Sequence, residues 1–141
     1  YLIKAKDVEG NTSCLPEKKG NNPFCVRFLS NKYVVPRIIE HKRVFSYKLN
    51  KPLSLTVRVN NSPSILDIKM HYRKVNQNEE FRTVSMKKVR EGEYIGIIPA
   101  RELDSLYDMI YYFEVLGKAG DGTFYPDPFL EGRYLIVKML D

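Results

Sequence analysis

Leu53-Ser54-Leu55-Thr56-Val57-Arg58-Val59 and, soon after it, Leu66-Asp67-Ile68-Lys69-Met70-His71-Tyr72-Arg73 set apolar and polar side chains in alternation. Successive side chains of an extended chain point to opposite sides. Each stretch therefore has one face for a core and one for water, and the period of two excludes an amphipathic helix. Outward from this pair, the same reading continues. Asn76-Gln77-Asn78-Glu79 is a hairpin connection, and Phe81 to Met86 is a strand with Val84 and Met86 on its apolar side. Arg90-Glu91-Gly92-Glu93 is a turn, with Lys87-Lys88-Val89-Arg90 placed at its entry. Tyr94 to Ile98 is a short strand stopped by Pro99, which has no amide proton for a ladder. Ala100 to Asp108 holds one helical turn. Met109-Ile110-Tyr111-Tyr112-Phe113-Glu114-Val115-Leu116 is apolar on both phases, the mark of a central, covered strand. Lys118-Ala119-Gly120-Asp121-Gly122 turns the chain into Phe124-Tyr125, Pro126 and Pro128 break it, and Tyr134 to Leu140 is the last strand. Arg43 to Leu49 adds a candidate near the start.

Seven to eight short strands joined by turns, with no long amphipathic helix, predict an all-β, antiparallel, two-sheet β-sandwich of immunoglobulin-like or fibronectin type III-like architecture. A small barrel is the alternative closure. Residues 1–31 show neither period for long and are rich in turn formers, as in Pro16-Glu17-Lys18-Lys19-Gly20-Asn21-Asn22-Pro23. They read as a loop-rich leader or the end of a preceding domain, with Tyr1 to Val8 alternatively a short strand. Residues 32–141 form the sandwich. The first residue is Tyr1 rather than Met, so the chain is expected to be part of a larger protein.

The 141 residues carry 23 Lys and Arg against 17 Asp and Glu, a formal charge of +6. This favours acidic partners, yet ordinary soluble domains carry as much charge to stay in solution. No apolar run reaches the roughly 20 residues of a helical membrane span, so no transmembrane segment is expected. Zinc-finger, recognition-helix and RNA-binding aromatic patterns are missing, so no specific nucleic-acid partner is expected. Cys14 and Cys25 lie in the leader and can form a disulfide in an oxidising compartment.

Little in the chain points to catalysis. No nucleophile elbow, zinc-protease helix, phosphate loop or calcium loop occurs. His71, between Lys69 and Arg73 on a polar strand face, reads as a solvated surface histidine, and His41 as a loop or strand-entry residue. Glu79-Glu80, Glu91-Glu93 and Glu102-Asp104 are carboxylate pairs in predicted turns, where acids are ordinary solubilising residues. Asp108, Glu114, Asp121 and Asp127 match no calcium loop, and local turn chemistry accounts for them. No catalytic residue, metal ligand or cofactor is assigned.

Two surfaces are candidates for binding. Phe124, Tyr125 and Phe129, with Asp127 and with Tyr107 nearby, cluster between Gly122 and Gly132. Exposed, these rings would stack on the apolar faces of sugars; turned inward, they would plug the open end of the sandwich. The inward reading has the stronger base rate, because packed aromatics outnumber exposed ones. Lys69, His71 and Arg73 share one strand face, with Arg58 and Arg82 as candidate flanks, and would grip an anionic polysaccharide; a solvated sheet face is the plainer reading. Tyr107 or Tyr111 is placed to hydrogen-bond a corner of the sandwich.

Met70-His71-Tyr72-Arg73-Lys74-Val75-Asn76-Gln77, Gly92-Glu93-Tyr94-Ile95-Gly96-Ile97-Ile98-Pro99-Ala100 and Ile110-Tyr111-Tyr112-Phe113-Glu114-Val115, followed by Gly120-Asp121-Gly122 and Tyr125-Pro126-Asp127, together resemble fibronectin type III or immunoglobulin-like accessory modules of large secreted bacterial proteins. Many such proteins process or bind carbohydrate. The resemblance covers about residues 50–140. It implies a non-catalytic module of a larger exported, extracytoplasmic protein that spaces or contacts neighbouring domains. The alternative is a carbohydrate-binding module using the aromatic cluster or the basic face.

Overall fold

The structure, a computed structural model, describes residues 3–6, 12–15, 33–103 and 107–140. The chain divides into two compact units, Tyr1–Tyr33 and Val34–Asp141. In the first, β1 (Ile3–Lys6) and β2 (Thr12–Leu15) pair as an antiparallel hairpin. Cys14 lies on β2, whereas Cys25 is outside the described residues, and so is the disulfide expected between them.

The second unit carries ten strands: β3 (Ile38–His41), β4 (Ser46–Lys48), β5 (Leu53–Val59), β6 (Ile65–Lys74), β7 (Arg82–Ser85), β8 (Lys87–Arg90), β9 (Glu93–Ile98), β10 (Met109–Gly117), β11 (Gly122–Tyr125) and β12 (Leu135–Leu140). Two single-turn 3-10 helices, Ser62–Ser64 and Ala100–Glu102, interrupt them. One sheet runs β4-β12-β10-β6-β7, with β11 sharing the β12 side of β10, and the other runs β3-β5-β9-β8. All pairings in these sheets are antiparallel except β12 with β4. The fold is thus all-β with two sheets, and its strand number corrects the expected seven to eight to ten. The two that escaped the pattern, β3 and β8, are edge strands. The side chains of β8 are all exposed, so no burial rhythm marks it, and the turn expected there begins only at Glu91. Lysine on such an edge also opposes pairing with a second chain.

The core forms where the two inner faces meet. Leu53, Leu55, Val57 and Val59 of β5 and Tyr94 and Ile98 of β9 pack with Ile68, Met70 and Tyr72 of β6 and Met109, Tyr111, Phe113 and Val115 of β10 in one buried cluster. β6 holds its expected phase from Ile68 onward. Before that, the register slips between Leu116 and Gly117 of β10, so Ile65 is buried and Leu66 is exposed. A single residue, Met86, carries the chain from β7 in one sheet to β8 in the other. Its side chain is buried and its amide donates to the Ile68 carbonyl at 2.7 Å. Met70 and Met86 come close together over Gly96, where a Cβ would lie 3.0 Å from the Met70 thioether and 3.4 Å from Met86.

Phe113 is fully buried at the centre of this cluster. Phe113→Ala is expected to lower unfolding free energy by about 3–5 kcal/mol, while Val89→Ala on the exposed edge stays within ~0.5 kcal/mol. Urea denaturation of the two variants measures the difference, and equal losses would contradict this placement of the core.

Candidate functional site

Alternation along β10 builds a second surface. Met109, Tyr111, Phe113 and Val115 point into the sandwich, which sends Tyr112 and Glu114 to the outer side. Register sets His71 of β6 beside Tyr112 and Phe124 of β11 beside Glu114. The His71 ring lies flat against Tyr112, with centroids 4.6 Å apart and planes 13° from parallel. Its Nε2 is 3.0 Å from Glu114 Oε2 and its Nδ1 is 2.9 Å from the Thr83 hydroxyl. His71 is therefore half-buried and tied on both nitrogens, which corrects the solvated reading. Tyr112 meets the rings of Phe81 at 5.2 Å and Phe124 at 6.1 Å, both near edge-on. Arg73 lies over Phe81 at 4.9 Å. A row Arg73, Phe81, Tyr112, Phe124 thus crosses the sheet.

These four residues, with Pro126, Pro128, Arg133 and Tyr134, line a groove of about 400 Å³. Phe124 and Tyr134 keep 51% and 46% of their surface exposed, so ring surface faces solvent there. Among the described residues no carboxylate lines the groove. Burial, with the Glu114 charge second, raises the Tyr112 phenol above its ordinary pKa. It stays protonated at neutral pH and retains a proton to donate. A larger cleft, about 560 Å³, is lined by Arg37, Ile38, Ile39, Thr123, Phe124, Tyr125, Asp127 and Glu131. It is the more voluminous but chemically the weaker site, since its lining mixes both charge signs.

The residues singled out from sequence divide among several places. Arg73 and Phe124 line the groove, and His71 braces its floor. Tyr125 turns the opposite way and packs on Phe113 and His41. Asp127 accepts the Phe129 amide at 2.9 Å and closes its own turn, leaving Phe129 94% exposed at the tip. Lys69 lies further along β6, in register with Glu114. Tyr107 is outside the groove lining; its carbonyl accepts the Tyr47 hydroxyl at 2.8 Å. The proposed cationic flanks fall away. Arg58 belongs to the other sheet and pairs with Glu40 at 2.8 Å. Arg82 sits opposite Tyr72, on the core-side phase, and pairs with Glu102 at 3.0 Å. Tyr112, Phe81, Arg133 and Tyr134 were not singled out. For Tyr112 the legible signal is an aromatic on the outward phase of a strand whose other phase already supplies the core.

Several of the remaining sequence candidates are engaged structurally, while Glu80 is exposed. Glu79 pairs with Lys74, Glu91 with Lys88 and Glu93 with Arg90. Glu102 accepts the buried Tyr72 hydroxyl at 2.6 Å, and burial together with that carboxylate pushes the phenol up to about 12. Asp104 lies outside the described residues. Asp108 accepts the Met139 amide at 3.2 Å. Among the described residues no three His, Cys, Asp or Glu side chains gather as a metal site. No protein-family model matches the chain, and no curated protein matches it.

His41 is the last residue of β3 and turns inward, not into a loop. Its Nδ1 lies 2.8 Å from the Thr56 carbonyl and its Nε2 2.9 Å from the Tyr111 hydroxyl. Nδ1–H donates to the carbonyl, so Nε2 accepts from Tyr111. Burial holds the imidazole below its ordinary value of 6.5, against the opposing pull of the Thr56 bond, and the nearby Arg43 charge adds to the lowering. The unfolded chain therefore takes up the proton first. The stability contributed by neutral His41 is complete above about pH 6.5 and is lost as pH falls through the lowered folded value. Melting temperature is expected to drop between about pH 7.5 and pH 5, and to drop less in His41→Gln. Parallel curves for the two proteins would refute this.

Proposed function

We propose that the Val34–Asp141 unit is a non-catalytic accessory β-sandwich, of immunoglobulin-like or fibronectin type III-like kind, from a larger exported protein, and that it binds polysaccharide through the outer-face groove. The observation that carries this reading is the row of rings crossing the sheet with two of the aromatics, Phe124 and Tyr134, half-exposed beside arginine and phenol donors. A sugar ring has an apolar C–H face that packs on an aromatic and a hydroxyl rim that needs fixed polar partners, and this groove supplies both. Its volume falls within the roughly 300–1,000 Å³ of ordinary ligand sites. The Tyr112 floor is braced by His71, Glu114 and Thr83, so little ordering remains to be done on binding.

A spacer role is the second reading. It draws on Phe129 and Leu130, apolar side chains 94% and 83% exposed at the 127–131 turn, suited to contact a neighbouring domain.

The test is a glycan array probed with the 141-residue chain and with the Phe124→Ala/Tyr134→Ala double variant. Retention of one or more polysaccharides is expected, weakened about tenfold or more in a variant whose melting curve is unchanged. No retention on any polymer, or equal retention by both proteins, would leave the spacer reading in its place.

A further inference from the structure

The groove's two cations say something about the ligand's charge. Arg73 and Arg133 both line it, and neither is neutralised by a carboxylate among the described residues. Arg73 is held in position: Nη1 donates to the Asn76 carbonyl at 3.0 Å and to the Glu79 carbonyl at 3.1 Å, and the guanidinium lies over the Phe81 ring. Its Nε is buried and has no hydrogen-bond partner among the described residues. A buried donor without a partner is uncommon and costly. Arg82 and Lys74 nearby, by contrast, each have a carboxylate beside them. The groove therefore presents positive charge, fixed in place at Arg73, over an apolar floor, on a chain whose net charge is already +6.

Building on the polysaccharide reading, the geometry points to an acidic polysaccharide as the occupant, its carboxylate or sulfate groups taken by Arg73 and Arg133 while its sugar faces lie on Phe124 and Tyr134. The Arg133 guanidinium fork matches either anion with two parallel hydrogen bonds, while Arg73, with Nη1 held by two carbonyls and Nε buried, offers its charge and Nη2. Arg73 has little side-chain freedom left to lose on binding, because two backbone carbonyls and a ring already fix it.

Affinity electrophoresis of the 141-residue chain tests this with matched polymers: polygalacturonate against its methyl ester, and dextran sulfate against dextran. At least one acidic polymer is expected to bind about tenfold or more tightly than its neutral counterpart, and the arm that responds tells carboxylate from sulfate. Arg133→Gln is expected to weaken that binding about tenfold without changing the melting curve, since Arg133 is exposed and makes no hydrogen bond or ion pair among the described residues. Arg73→Met is expected to do the same, but it also loosens the Asn76–Glu79 loop, so Arg133→Gln decides. Binding of a neutral polymer as strongly as its acidic partner overturns the acidic inference and leaves the polysaccharide reading standing. Binding of no polymer overturns both. Unchanged binding in Arg133→Gln, or equal binding of an oligodeoxythymidylate, which offers phosphates and stacking bases, also overturns it.

Discussion

Strand β10 is hydrogen-bonded along both edges and has buried side chains on both phases near its start. β6 runs along one edge for nearly its whole length, and β12 and β11 follow one another along the other. A strand in this position cannot leave its backbone donors and acceptors unpaired away from water, so the neighbours must be supplied from distant parts of the chain. The second sheet then has one place to go, over the face that carries Tyr111, Phe113 and Val115. Burial of that face removes the largest apolar side chains from water and provides the main driving force for closing the sandwich.

Where polar groups enter the core they do so in satisfied links that join separate elements. The His41 imidazole bonds Thr56 of its own sheet and Tyr111 of the opposite sheet. Val44 gives the Tyr111 oxygen a backbone hydrogen bond, and burial pushes that phenol up to about 12. Tyr72 reaches Glu102 in the 3-10 turn after β9, and Arg82 meets the same carboxylate from β7. Each link costs desolvation that only good geometry offsets, so each favours one packing of the two sheets over neighbouring ones.

The outer groove follows from the same strand. Because side chains alternate, burying Tyr111 and Phe113 obliges Tyr112 and Glu114 to face outward. Covering Tyr112 with His71 on one side and the edges of Phe81 and Phe124 on the others leaves a shallow, ring-lined surface instead of a second core. The prolines at 126 and 128 and the turn closed by Asp127 raise a wall beside it. The core that closes the sandwich and the groove on its outside are opposite faces of one element.

The alternation at Leu53–Val59 and Ile68–Tyr72, with the doubly apolar run Met109–Leu116 between turns, was enough, from sequence alone, to determine an all-β chain and most of its core, because a period of two has a single structural meaning. The turn formers at Gly92 and Gly120 marked where hairpins close, since positive φ costs least for glycine. Edge strands β3 and β8 were not legible: β8 is exposed on both faces, which erases the alternation, and in four-residue β3 the adjacent Ile38 and Ile39, one buried and one exposed, interrupt it. The site was legible in fragments. Arg73 and Phe124 stood out as residue types, but their meeting depends on pairings between segments some fifty positions apart, and Arg82 and Arg58 shared their composition without sharing their face. Register, and with it the choice of which aromatic plugs the interior and which lines the groove, was decided by tertiary structure, because hydrogen-bonded neighbours of β10 come from remote parts of the chain whose local patterns carry no record of one another.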